Sequence, residues 1–234
     1  MKILVINPNT TIEMTQQIGM AMNAVKRADT VLEVTNPPVG PAGLASGYDE
    51  VIAGYELIKM VQAARHQGYD AIIIACYSDP GIVAAKELCD FPVVGIAEAA
   101  MHMACMLGRK FTVLTTSKAR VPSKEAYVRY NGLDSRLASV RPLGVTVVET
   151  SHEPQKTKDA ILAVARKAIE EDGAEVIILG CAGMAGYAEE LEQKLGVPVL
   201  DPNAVALKMA EAMVDLQLRP SRIGFFAQPP QLCC

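Results

Sequence analysis

The amino-acid sequence predicts an α/β fold of two similar Rossmann-like half-domains. Each is expected to carry a four-stranded parallel sheet flanked by helices, the pair being related by pseudo-two-fold symmetry with a site between them. Three observations lead there. Short apolar runs such as Ile3-Leu-Val-Ile6, Ala71-Ile-Ile-Ile74 and Val176-Ile-Ile-Leu179 alternate with helical patterns, as strands hidden on both faces do. The chain also repeats itself: Gly68-Tyr-Asp-Ala-Ile-Ile-Ile-Ala-Cys76 returns as Gly173-Ala-Glu-Val-Ile-Ile-Leu-Gly-Cys181. Each copy continues through a helical pattern to Pro92 or Pro198 and then a Met/Ala-rich helix. Finally, both copies deliver a cysteine at a strand's carboxyl end, the edge at which open α/β sheets bind ligands. The expected lobes are residues 1–97 plus 215–234, carrying Cys76, and residues 98–214, carrying Cys181.

Composition narrows the function. The 234 residues are 50% apolar, with no Trp and few aromatic residues, which suits a core of Val, Ile, Leu, Ala and Met between sheet and helices. A formal charge of −4 gives no support to a nucleic-acid or membrane-surface partner and points to a small-molecule ligand. The opening apolar run stops at Asn7-Pro8-Asn9, and no stretch of about 18 apolar residues occurs. A cytoplasmic location is therefore expected. Six cysteines without a Cys-x-x-Cys pair argue against a disulfide framework and against a zinc site.

Taken in order, Ile3–Ile6 reads as the first strand, and Thr10 or Thr11 is placed to cap a helix over 12–27. Val31–Thr35 is the second strand. The Pro/Gly-rich stretch 36–47, with Val39 and Gly40, reads as a binding loop or lid at the rim. A helix over 48–67 follows, with acidic residues in its first turn. Ala71–Ala75 is the third strand, and Asp79 before Pro80 reads as the cap of the next short helix. Strand 93–96 and helix 98–107 lead into the second half. There the expected order is strand 111–115, helix 123–130, a strand near 145–149, helix 156–172, the Cys181 strand, helix 185–195, strand 197–200 and helix 203–216. Cys89 and Cys105 read as small hydrophobes, His102 as packed, and His152 as a weak catalytic candidate in a rim loop. Cys233 and Cys234 are expected to be mobile and without a catalytic role.

Two thiols on facing lobes suit one chemistry in particular. Where a ligand carries an acidic C–H beside a carbonyl, one thiolate removes that proton and the opposite thiol returns a proton to the other face, inverting the stereocentre. The ordinary thiol pKa, about 8.5, makes both protonation states reachable once a helix N-terminus lowers it modestly. The enolate would be held by backbone N–H groups after Cys76 and Cys181 and by the hydroxyls of Ser78, Thr115 and Thr116. No cofactor is required, and no Gly-rich dinucleotide fingerprint follows the first strand.

The opening Lys2-Ile-Leu-Val-Ile-Asn-Pro-Asn-Thr-Thr11, the central Ile-Ala-Cys76-Tyr-Ser-Asp-Pro-Gly, the run Pro92-Val-Val-Gly-Ile-Ala-Glu-Ala-Ala100 and the Leu-Gly-Cys181-Ala-Gly-Met segment resemble the hydantoin racemase family. That family lies within the cofactor-independent aspartate/glutamate racemase superfamily and includes allantoin racemases. The resemblance implies a homo-oligomer that inverts C5 of a hydantoin ring with Cys76 and Cys181 as acid and base. It also implies a ring site lined by Asn7, Ser78, Thr115, Thr116, Gly180, Ala182 and Gly183. Departures fall where the C5 substituent would lie. Ala45-Ser46-Gly47-Tyr48 replaces a Glu-Gly pair of many relatives, and Tyr77-Ser78 follows the first cysteine. A wall of Val39, Leu44, Tyr48 and Met184 is expected to favour alkyl or aryl substituents, with the ureido group of allantoin as the alternative. A one-thiol decarboxylase, a non-catalytic binding module and a redox pair of Cys76 with Cys181 are the other readings.

Overall fold

In the computed structural model, which describes residues 1–230, eight strands form two four-stranded parallel sheets. The first is built from β1 (Lys2–Ile6), β2 (Val31–Thr35), β3 (Ala71–Ile74) and β4 (Val93–Gly95), in the order β2-β1-β3-β4. The second, from β5 (Phe111–Thr115), β6 (Leu137–Pro142), β7 (Val176–Leu179) and β8 (Val199–Leu200), runs β6-β5-β7-β8. The predicted architecture is therefore the observed one. Central strands β3 and β7 are buried at every residue, which is why their sequences are uniformly apolar. Edge strand β2 leaves Val31 exposed and carries Glu33, which pairs with Lys2. Cys233 and Cys234 lie outside the described residues.

The helices are α1 (Ile12–Val25), α2 (Gly47–Ala64), α3 (Ile82–Leu88), α4 (Ile96–Leu107), α5 (Val121–Tyr130), α6 (Glu149–His152), α7 (Pro154–Asp172), α8 (Ala188–Leu195) and α9 (Pro202–Asp215). Among the described residues no helix is long and apolar enough to cross a membrane. Four local expectations need correction. The sixth strand is Leu137–Pro142, not a segment near 145–149. Ser139 reaches Thr112 across the ladder and Arg141 binds Asp172 on α7, so this segment has partners on both sides. Pro142 then ends the ladder, Gly144 turns at φ 75°, and the following valines run over the sheet's end into α6. Thr11 holds the N-cap position of α1 as expected, but its hydroxyl makes no capping bond: Thr11 Oγ1 donates to the Ala42 carbonyl and Thr10 N to that of Pro41, pinning the Pro/Gly-rich loop instead. His102 is exposed.

Asp79 is the fourth correction. It does not cap α3, whose N-cap is Gly81. At φ 42° its backbone turns the side chain toward α4, where the carboxylate accepts hydrogen bonds from the N–H groups of Ala97 and Glu98 and from the Tyr127 hydroxyl on α5. A side chain at Gly95 would collide with that carboxyl, its Cβ falling 2.3 Å from Asp79 Cγ, so glycine there is a condition of the bond. Asp201 does the same work in the second half. It accepts from Asn203 N at the start of α9 and from Gly186 N in the turn that follows Cys181.

These two helices reach past the sheet they follow to the one opposite. α4 packs Ala97, Ala100, Met101 and Ala104 against Phe111, Val113, Val176 and Ile178 of the second sheet. α9 packs Ala206, Leu207 and Ala210 against Ile3, Val5 and Ile73 of the first, and the two helices lie against each other. The lobe boundary expected near residue 214 thus leaves α9 with the second lobe although its apolar face belongs to the first. Glu211 secures it there: Oε1 accepts from Arg27 N at 2.9 Å and from Thr30 Oγ1 at 2.7 Å, and Oε2 meets Lys208.

Replacing Glu211 by Ala strands the buried Thr30 hydroxyl and the part-buried Arg27 amide of the first lobe. It is expected to lower unfolding free energy by about 1–3 kcal/mol in urea titrations, with the secondary-structure content retained. Asp79 predicts a pH dependence. Burial first, and the Glu98 charge second, push its carboxyl up to about 7, against hydrogen bonds from Glu98 N, Ala97 N and Tyr127. With the folded value above the unfolded one, the folded state holds the extra proton, so this contribution is full below about pH 4 and is lost as pH rises toward 7. Asp79→Asn keeps a residue that accepts positive φ and removes the titration. Measured at pH 5 and pH 7.5, the stability of the wild type relative to this variant should fall with rising pH; a constant difference contradicts the assignment.

Candidate active site

The sheet ladders run one residue past β3 and β7 before the chain lets go: Ala75 N donates to Ile6 O and Gly180 N to Leu114 O, each at 2.8 Å. The next residues are Cys76 and Cys181, so each thiol stands immediately beyond a rigid central strand. Both line one cavity between the lobes, with about 440 Å3 of open space including its mouth. Asn9, Ser78, Thr115, Thr116, Arg120 and Lys124 supply its polar wall; Met14, Leu44, Tyr77 and Val147 supply most of its apolar one. Both cysteines are free thiols.

Their surroundings differ in detail. Cys76 Sγ lies 3.4 Å from Ser78 Oγ, and Ser78's backbone also bonds to the sulfur. Cys181 Sγ lies 3.8 Å from Thr150 Oγ1 and takes a backbone hydrogen bond from Gly183. The expected lowering of the thiol pKa by a following helix is not what dominates. Only a single 3-10 turn, Ala182–Met184, follows Cys181, and α3 starts six residues after Cys76. Burial therefore pushes both thiols up, and the Lys124 charge and the local hydrogen bonds pull the other way.

Of the residues the sequence singles out, Cys76, Ser78, Thr115, Thr116, Gly180, Cys181 and Ala182 line the cavity. Asn7 stands one layer behind. It is fully buried and its Nδ2 donates to Asn9 Oδ1 at 2.9 Å and to Thr15 Oγ1 at 3.0 Å, so it orients Asn9, which does face the cavity. Gly183 is also outside the lining. A Cβ there would lie 2.2 Å from Thr150 Oγ1, so its lack of a side chain brings the Cys181 turn against α6. Met184 is fully buried in the second lobe's core, and Val39 with its neighbour Gly40 sits on the outer part of the Pro/Gly-rich loop, Val39 at 57% exposure. Tyr48 is 76% exposed. Of the expected apolar wall, Leu44 alone reaches the cavity, because the loop turns inward at Gly43, against Val147, rather than at Val39. His152 is exposed and bonds the Val148 carbonyl, away from the thiols.

Arg120 and Lys124 were not anticipated. Both are buried, Arg120 bonded to Glu50 at the start of α2 and Lys124 Nζ donating to the Tyr77 carbonyl at 2.7 Å. Their signal is visible in Lys118-Ala-Arg120-Val-Pro-Ser-Lys124: two cations four residues apart at the start of a helix, directly after a strand whose end lies on the rim. No group of three or more His, Cys, Asp or Glu side chains suited to a metal ion occurs among the described residues.

Comparison with known proteins gives the family. A family model described as Asp/Glu/Hydantoin racemase matches residues 3–210. A hydantoin racemase from Pseudomonas sp. (strain NS671) is 39% identical over 98% of this chain and 92% of its own length. Two solved structures, allantoin racemases from Pseudomonas fluorescens and Klebsiella pneumoniae, are 38% and 36% identical, each with a TM-score of 0.95. The first spans 100% of this chain and 99% of its own; the second, 99% and 94%. With the repeat, the paired strand-end thiols and near-complete coverage in agreement, the chain belongs to the Asp/Glu/Hydantoin racemase family and is an enzyme of the isomerase class.

Proposed function

We propose that this racemase inverts C5 of 5-monosubstituted hydantoins without a cofactor, using Cys76 and Cys181 as the paired base and acid. The observation that carries the reading is the meeting of two free thiols, from equivalent strand ends of opposite lobes, in one cavity. A thiolate on one side takes the C5 proton; the C–H electron pair moves into the adjacent carbonyl to give an enolate. The thiol on the other side then protonates C5 from the opposite face. Each sulfur ends in the state its partner began in, so the reverse reaction restores the site. The Ser78, Thr115 and Thr116 hydroxyls line the same cavity as the thiols and would take up enolate charge, a preorganised donor of this kind being typically worth a few kcal/mol in the transition state.

A second reading narrows the substrate to allantoin. The cavity's polar side, with Asn9, Arg120 and Lys124, offers partners to a ureido substituent, whereas three of the four residues expected to favour alkyl or aryl groups point elsewhere. The homo-oligomeric assembly implied by the family resemblance belongs to the same proposal. The outer face of α2, with Tyr48, Val51 and Tyr55 exposed, supplies an apolar surface for it.

Single enantiomers of allantoin, benzylhydantoin and isobutylhydantoin, each incubated in D2O with the purified protein and no added cofactor, test both readings. Loss of optical rotation with deuterium gained at C5 is expected, fastest for allantoin. No exchange with any of the three would overturn the racemase chemistry, and preference for the benzyl compound would overturn the allantoin reading. Cys76→Ser and Cys181→Ser should each lower racemisation by about 10³-fold or more, as members of one catalytic unit do. Full turnover in either variant contradicts the two-thiol mechanism.

A further inference from the structure

Lys124 stands out among the charged groups of the cavity. It is 7% exposed, and its Nζ is held at 2.7 Å by the carbonyl of Tyr77, the residue that follows Cys76. Its ammonium also lies 5.4 Å from the centroid of the Tyr77 ring. Among the described residues no carboxylate forms an ion pair with it, whereas the neighbouring Arg120 is bonded to Glu50. A buried ammonium without an anion is costly. The cavity's own acids are the two thiols and the Tyr77 phenol, and burial holds that phenol well above its usual pKa.

We propose that Lys124 is a third functional group of this site, the counter-ion of whichever cysteine is the thiolate, so that the working site holds one thiolate, one thiol and one ammonium. The assignment rests on the two-thiol racemase reading and adds to it the charge that makes that reading workable. Burial alone would keep both sulfurs protonated, and two thiols cannot remove a C–H proton. The Lys124 charge reaches both sulfurs, Cys76 foremost and Cys181 more weakly, so it is present in both directions of the reaction. Burial by itself pulls the Lys124 pKa down; the Cys76 thiolate is the largest opposing influence and holds the ammonium, with Arg120 acting against it and Glu50 and Asp79 for it. Its position is set by α5, the helix whose Tyr127 binds Asp79 behind the Cys76 turn, so ammonium and thiol are carried on elements tied to each other.

Alkylation by iodoacetamide across pH 5.5 to 10, read for each cysteine separately by peptide mass spectrometry, tests this without any substrate. Wild type, Lys124→Met and Lys124→Arg would be compared, with Lys124→Gln replacing the Met variant if circular dichroism shows that it does not fold. In the Met variant the midpoint for Cys76 or Cys181 should rise by about one pH unit or more, with alkylation at pH 7 falling about tenfold. The Arg variant, which keeps the charge, should stay near wild type, and Cys89 and Cys105 should not change. Racemisation by the Met variant should fall through kcat more than KM. Equal midpoints for both active-site thiols in all proteins overturn the proposal. A shifted midpoint in a protein that racemises no hydantoin would leave the counter-ion intact and remove the racemase reading; racemisation with unshifted midpoints would do the opposite.

Discussion

Two buried carboxylates hold this molecule's working parts in register. Asp79 joins the turn after Cys76 to the N-terminus of α4, and Asp201 joins the turn after Cys181 to the N-terminus of α9. Each helix then packs its small apolar face against the sheet of the other half. A carboxylate accepting from the first amides of a helix satisfies donors that the helix cannot, and it does so where the macrodipole favours negative charge. Because the satisfied helix belongs by packing to the opposite lobe, each cysteine turn is referenced to both sheets. A cavity between two lobes that merely touched would vary in width with every relative motion; here the width follows from interlocked cores.

The same architecture explains why the site can be enclosed and polar together. Strand ends give the thiols a fixed origin, the Asn7 amide fixes that of Asn9, and Gly183 allows α6 to close behind Cys181. The loops above come from equivalent positions in the two halves, and they meet where Gly43 abuts Val147, with Leu44 beside them in the cavity wall. The resulting burial is what raises the thiol pKa values, and it is also what would let a single ammonium count: charges interact more strongly in a low-dielectric enclosure than in water. Desolvation and compensation are thus two consequences of one enclosure rather than separate features.

Much of this was legible in the residues. Uniformly apolar runs, an internal repeat with prolines at matching places and a cysteine after each central strand determine the sheets, their parallel order and the rim on which Cys76, Ser78, Thr115, Thr116, Gly180 and Cys181 meet, because these depend on local periodicity and on strand-end geometry alone. What the sequence could not decide is whatever depends on which distant surfaces touch. Asp79 satisfies every local rule for capping α3 and caps α4 instead, since the donors it serves are 18 and 19 residues away. Val145–Val148 is as β-branched as any strand here, yet Leu137–Pro142 takes the edge position because Thr112 and Asp172 offer its polar side chains partners. Val39 and Met184 look like site walls and are not, while Lys124 looks like a solvated helix residue and is buried. A helix's inward face is chosen by the opposing core, and only the folded chain contains both sides of that contact.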